Sequence, residues 1–227
     1  MVISVHQPYF CPYPGFFYRV LNSDVFVLLD TVQFPRGTTW TSRNRFKHDQ
    51  GTLWLTVPVR KKGLGFQTID AVRICRDRQW PRKHLASLRH AYAHAPFFRE
   101  HYPFIEAQMQ SGTRRLSDLN IRIIRYIADY IRVGADIRRL SEMGIRGKGA
   151  ALLIDICRQT GATQLLIPRS ARSHMDIAAF QTAGIRIDTY RMPMWIYPQL
   201  WGDFLPNLSI LDMIFNIGPK TRDLLRS

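Results

Sequence analysis

His6 and Gln7 follow directly on a short apolar run, Val2-Ile3-Ser4-Val5, while Asp30 and Gln33 follow a second one that starts at Asp24-Val25. A histidine at a strand end can take a proton from an amine or hydroxyl nucleophile at neutral pH, and a nearby carboxylate can orient it. Further along stand Arg43-Asn44-Arg45. In an extended segment two side chains separated by one residue point the same way, and paired guanidiniums suit bidentate capture of phosphate or carboxylate. The residue types thus suggest a polar site for an anionic small molecule. His6 would be the base and Asp30 its partner or a substrate contact. Gln7, Gln33 and Asn44 would hold polar groups, and Arg43 and Arg45 the anion.

These residues need a scaffold. The first apolar run ends in His6-Gln7-Pro8-Tyr9-Phe10-Cys11-Pro12-Tyr13-Pro14-Gly15, where three prolines in seven residues forbid both helix and strand and predict a rigid loop. A helix from Phe16 to about Asn22 and a strand from Asp24 to Asp30 complete an opening βαβ unit, whose ligands usually sit outside the carboxyl ends of the strands. The polar stretch Gln33 to Lys47 is expected to be an exposed loop. Leu53 to Val59 reads as a strand that ends or lies at an edge at Pro58. A basic glycine-rich turn follows (Arg60 to Gly65), then a short strand within Gln67 to Cys75.

From Gln79 the period becomes helical. Trp80, His84, Leu88 and Tyr92 share one stripe, with Arg78, Arg82, Lys83 and Arg89 off it. His84 is either a hydrogen-bonded core histidine or a substrate contact. A second helix runs from beyond Pro96 to about Gln110, and a third, capped by Ser117, carries the stripe Leu119, Ile123, Ile127 and Ile131. Strand Ile137 to Leu140 leads to Gly144-Ile145-Arg146-Gly147-Lys148-Gly149 and a helix over 150–160. Two residues separate the first glycine from Gly-Lys, and Gly149 stands where a hydroxyl belongs. This excludes a Walker loop but leaves anion binding at Lys148. Strand Gln164 to Ile167, helix Met175 to Thr182 and strand Ile185 to Tyr190 make a second half. A closing helix spans Ile210 to Asn216, capped by Asn207 or Ser209, and its dipole favours Asp212 in the first turn. The expected fold is α/β: a mostly parallel Rossmann-like sheet flanked by helices, with a helical segment inserted mid-chain at roughly 79–132. One domain over 1–227 is expected.

The charge balance is unusual. Thirty-two Lys+Arg against 17 Asp+Glu give a formal +15 over 227 residues. Such a surface attracts phosphate- or carboxylate-bearing substrates, an acidic carrier protein, anionic headgroups or nucleic acid. No RNA- or DNA-binding motif is present, so nucleic acid ranks last. No stretch approaches the roughly 18–20 apolar residues of a membrane helix, and a strand begins too early for a signal peptide. Cys11, Cys75 and Cys157 are isolated and fit neither a disulfide set nor a metal site. A cytoplasmic protein without cofactor or metal is expected.

The chain resembles the WbqC-like family from its first strand to its last helix. The resemblance rests on His6-Gln7-Pro8 with Pro12 and Gly15, Asp24-Val25-Phe26-Val27, and the strand end Asp30/Val32-Gln33. It continues through Trp40 with Arg43-Asn44-Arg45, Trp54-Leu55-Thr56-Val57-Pro58, Lys83-His84, Tyr92 with Ala95-Pro96, Asn120 and Gly147-Lys148-Gly149. Tyr197-Pro198-Gln199, Phe204, Leu208 to Asp212 and Phe215 to Gly218 complete it. Thr31 stands where the family often has a second Asp, Ser42 where it often has Asn, and Pro168 to His174 replaces a Ser/Gly-rich turn. The resemblance implies a transferase of acyl or amino-acyl type that modifies an amino sugar or related metabolite. The setting it implies is surface-polysaccharide (O-antigen) or secondary-metabolite synthesis. The strand–loop–Gly–helix–strand opening is also similar to adenylyl-transferring nucleotidyltransferases, which place two histidines around that glycine. Here Tyr13 and Phe16 fill those places, which leaves nucleotide binding as the alternative.

Overall fold

The computed structural model describes residues 1–75 and 79–227, so Arg78 of the helical reading lies outside the described residues. The strands are β1 (Val2–His6), β2 (Val25–Leu28), β3 (Arg43–His48), β4 (Gly51–Thr56), β5 (Asp136–Arg139), β6 (Gln164–Pro168) and β7 (Arg186–Tyr190). The α-helices are α1 (Pro14–Leu21), α2 (Gln79–Tyr92), α3 (Phe98–Gln110), α4 (Leu116–Tyr130), α5 (Gly149–Thr160), α6 (Ile177–Thr182), α7 (Ile210–Ile217) and α8 (Lys220–Arg226). The chain divides into two compact units.

The first unit takes residues 1–7, 15–32 and 133–193. Its five-stranded sheet has the order β5-β2-β1-β6-β7, and every neighbouring pair is parallel. From the central β1 the chain steps outward through β2 to β5, then returns to lay β6 and β7 on the other side. The direction reverses between β1 and β6, and at such a switch point loops leave the strand ends in opposite senses and open a crevice. Ile3, Val25, Val27, Leu152, Ile156, Leu165 and Phe180 form the core between sheet and helices. The α/β expectation holds, with the sheet parallel throughout.

The second unit takes residues 8–14, 33–132 and 194–227. The helices of 79–132 are α2, α3 and α4, and the expected stripe Leu119, Ile123, Ile127 and Ile131 is fully buried. Three local expectations fail. Arg43 to Lys47, read as part of a loop, lies in β3, a strand paired antiparallel with β4 in a separate two-stranded sheet. Its polar composition hid a pattern that buries Asn44 and Phe46. The strand expected within Gln67 to Cys75 is a 3-10 turn (Ile69–Ala71) flanked by isolated bridges. Ser117 does not cap α4: a bridge to Arg73 and the bond from Leu116 N to the Val72 carbonyl hold the chain extended through Arg115, so the helix starts at Leu116 and Ser117 is buried inside it. Ser209, rather than Asn207, caps α7, its hydroxyl accepting from Leu211 N.

Asp212, expected to do no more than complement a dipole, is fully buried and accepts the hydroxyls of Tyr92 and Tyr197, both at 2.8 Å. Burial raises its pKa and raises those of both tyrosines. Tyr92 also accepts from Lys47 N, and Lys47 Nζ donates to the Asp203 carbonyl at 2.6 Å and to Gln199 Oε1 at 3.2 Å. This network ties β3, α2 and the 197–212 segment together. Among the described residues no helix is long and apolar enough to cross a membrane. Tyr197→Phe should cost about 2 kcal/mol in urea denaturation, because it leaves one oxygen of a buried carboxylate without its donor. A cost below about 0.5 kcal/mol would show that the network does not anchor the segment.

Candidate functional site

His6, Gln7, Asp30 and Lys148 belong to the first unit; Tyr13, Gln33, Arg43, Asn44, Arg45 and His84 belong to the second. In the first unit His6 ends β1, and its Nδ1 lies 2.7 Å from the carbonyl of Gln7. A carbonyl can only accept, so Nδ1 carries the proton and Nε2 is the acceptor nitrogen. The ring packs edge-on to Phe16 at 5.0 Å. Burial, helped by the positive charge of Arg19, lowers the His6 pKa from 6.5 to about 3. The ring is therefore neutral at physiological pH and of low basicity at rest.

Asp30 is fully buried just beyond β2, and its oxygens are engaged. Oδ2 accepts from Arg139 Nε at 2.9 Å and Ser141 Oγ at 2.7 Å, and Oδ1 accepts from Ser141 N at 2.9 Å. This carboxylate ties the carboxyl end of β2 to the turn after β5. Lys148 is the exposed N-cap residue of α5 and makes no side-chain cap. It lies between Gly147 and Gly149, whose positive φ values of 145° and 62° make the turn into the helix accessible to glycine.

Arg19 emerges as a residue the sequence did not nominate. It sits in the last turn of α1 with 6 % of its surface exposed, donating Nε to the Tyr190 hydroxyl at 2.9 Å and Nη1 to the Val5 carbonyl at 3.0 Å. The available signal was an arginine inside an apolar helix, Phe16-Phe17-Tyr18-Arg19-Val20-Leu21, with no acid three or four residues to either side.

In the second unit Asn44 is fully buried, and its amide donates to the carbonyls of Phe10 at 3.0 Å and Cys11 at 2.7 Å. That role pins the proline-rich loop. Arg43 and Arg45 stand on the other face of β3. The Arg43 guanidinium lies 3.5 Å from the ring centre of Trp54, and Arg45 lies 6.0 Å from that of Trp40. The two tryptophans contact each other at 5.6 Å and are 40 % and 42 % exposed. Arg45 Nη2 also donates to the carbonyls of Pro206 and Asn207, both at 3.1 Å. The arginine pair is thus a stacked aromatic–guanidinium surface rather than loop decoration, and part of its hydrogen-bonding capacity is spent on structure. His84 donates Nε2 to the Thr56 carbonyl at 2.9 Å and packs edge-on to Trp80, and burial lowers its pKa. Gln33 is exposed and bridges Thr68; Tyr13 is half-buried. A cleft of about 820 Å³ lined by Ile74, Cys75, Trp80, Arg82, Met109 and Arg114 contains none of the residues singled out from the sequence.

The family model of the WbqC-like protein family matches residues 7–224. The chain belongs to the WbqC-like family. It is also 31 % identical over 230 residues to the uncharacterized protein Rv1507c of Mycobacterium tuberculosis, a match covering 99 % of this chain and 97 % of that one. No solved structure matches. Family membership therefore accounts for the ordered motifs from His6-Gln7-Pro8 to Phe215-Asn216-Ile217-Gly218.

Between pH 6.5 and about 3 the unfolded chain protonates His6 while the folded chain does not. Stability should be full above that window and fall as pH drops through it, by up to about 1.4 kcal/mol per pH unit from this group. His6→Asn should flatten the slope of stability against pH across this window; equal slopes in variant and parent would refute the assignment. Separately, Arg45→Ala should cost about 1 kcal/mol through the lost bonds to Pro206 and Asn207, measured by thermal denaturation.

Proposed function

We propose that this WbqC-like protein is a transferase of acyl or amino-acyl type that acts on an amino sugar or related anionic metabolite in surface-polysaccharide or secondary-metabolite synthesis. The observation that carries this reading is the position of His6 and Gln7. They lie at the carboxyl end of the central strand, beside the reversal between β1 and β6, where parallel sheets bind their ligands. Family membership supports the biosynthetic setting.

In this reading His6 Nε2 accepts a hydrogen bond from the attacking amine or hydroxyl. The nucleophile bonds to the acyl carbon of a thioester donor, the carbon–sulfur bond breaks, and the proton leaves with the thiol. Because the resting ring is weakly basic, His6 orients the nucleophile and holds the proton only while a substrate anion offsets the surrounding positive charge. In the first unit Gln7 offers its amide to the substrate, and within the second unit Gln33 and Tyr13 offer amide and hydroxyl groups to a ligand of that unit. Within the second unit, Arg43 and Arg45 are suited to capture phosphate or carboxylate. Asp30 acts through the turn it holds, and Asn44 through the loop it pins. The net charge suits an anionic substrate or an acidic carrier.

The alternative is a nucleotide-binding protein, favoured by the same strand order. Against nucleotidyl transfer, Phe16 is fully buried and Tyr13 carries no cationic group for a phosphate. Thermal-shift measurements with ATP, CTP and UDP-sugars separate the two readings, since free nucleotides should stabilise the protein only under the second.

Turnover with acyl thioesters and nucleotide-linked amino sugars is the direct test. His6→Ala should lower kcat/KM by about 100-fold or more. Arg43→Lys/Arg45→Lys should lower it at least about tenfold, because an ammonium cannot reproduce the guanidinium fork. Both are to be assayed well below their melting temperatures. Unchanged kinetics in the arginine pair, with the fold intact, would remove these residues from substrate binding.

A further inference from the structure

Arg19 is a buried cation whose bonding partners are all neutral. Its Nε and Nη1 donate to a tyrosine hydroxyl and a main-chain carbonyl, and no carboxylate pairs with it among the described residues. A guanidinium has five N–H donors. The two bonds leave three of them without a protein partner among the described residues. Removing an isolated cation from water is costly unless a counter-charge or a full set of hydrogen bonds replaces the solvent. The carboxyl-end dipole of α1 supplies only part of that. Other buried ionic groups of the chain are better provided for: Asp212 has two phenols, and Asp30 has Arg139 and Ser141.

The location adds a second argument. Val5 lies one residue before the end of β1, and Tyr190 is the last residue of β7. In the sheet β6 lies between those two strands, so Arg19 bridges the carboxyl ends on either side of it. The residue that follows β6 is Arg169, which is exposed, and the one that follows β7 is Arg191, also exposed. Arg169 and Arg191 thus directly follow the carboxyl ends of β6 and β7, the end of the sheet at which the Arg19 guanidinium meets Val5 and Tyr190. The acid on that half of β7, Asp188, is already bonded to Arg186.

We propose that Arg19 is the anchor of a phosphate-binding site at the carboxyl ends of β1, β6 and β7, with Tyr190 and the Val5 carbonyl holding its guanidinium in place and Arg169 at the rim. A tetrahedral oxyanion accepts from two edges of a guanidinium at once and supplies the missing counter-charge. The assignment deepens the transferase reading and rests on it only for what carries the phosphate; binding itself requires no turnover.

Inorganic phosphate is the probe, titrated calorimetrically into the full-length protein at low ionic strength in a buffer without oxyanions. Arg19→Met should weaken binding at least about tenfold, as expected for the loss of charge-assisted hydrogen bonds. Arg158→Met, which removes one exposed positive charge from α5 of the same unit, should change it less than about twofold. Circular dichroism checks the fold of each variant. If Arg19→Met does not fold, Arg19→Lys carries the test: it keeps the charge, loses the fork and should still weaken binding several-fold. Undetectable phosphate binding to the parent protein, or equal losses in the Arg158 and Arg19 variants, overturns the site. Transfer activity that fails for every substrate class, with phosphate binding lost only in the Arg19 variants, would overturn the transferase reading and leave the site standing.

Discussion

Two asparagine amides hold the segment on which the second unit is arranged. Residues 8–14 carry three prolines, which supply carbonyls but no N–H groups, so the loop cannot satisfy its own acceptors. Asn120 donates to the Pro8 and Thr41 carbonyls at 2.8 and 2.7 Å, and Asn44 donates to Phe10 and Cys11. The Pro12 carbonyl accepts from Ile210 N at 2.7 Å, which also satisfies an otherwise open donor at the start of α7. Holding Asn44 inward fixes the facing of β3, and that sends Arg43 and Arg45 outward onto the tryptophans. The half-buried arginine surface is thus a consequence of a buried amide.

The same economy governs the buried charges. Asp212 and Lys47 are surrounded by phenols, amides and carbonyls rather than by a direct ion pair, and burial moves both pKa values toward neutrality, upward for the acid and downward for the base. Neutral partners that satisfy each lone pair and proton make such burial tolerable, and they also fix geometry, because few alternative arrangements would satisfy them. Arg19 departs from this pattern.

Much of this could be read in the sequence, for identifiable reasons. Strand runs such as Val25-Phe26-Val27-Leu28 and the α4 stripe have a single strong period, and both formed as expected. The strand β3 could not be seen because Arg-Asn-Arg-Phe-Lys-His hides its inward face behind a buried polar residue whose partners lie more than thirty residues away. The α4 cap failed for a similar reason, since a long-range bridge to Arg73 sets where that helix can begin. At Asp30 and Asn44 a sequence reveals a polar group but not how many of its bonds are already taken. Arg19 escaped notice because helix position alone does not reveal a missing counter-ion.

The sheet of the first unit has a further consequence, for the order in which the protein can form. Asp30 and Arg139 meet across 109 residues, and β1 and β2 leave the ribosome long before β5, β6 and β7 exist. Within this sheet the pairing available early is β1 with β2, a parallel pair that exposes both of its outer edges. Such long-range closure is slow, and unpaired hydrophobic edges invite pairing with other chains. Until β5 and β6 arrive, the open edges of β1 and β2 are a kinetic vulnerability that the finished sheet does not display.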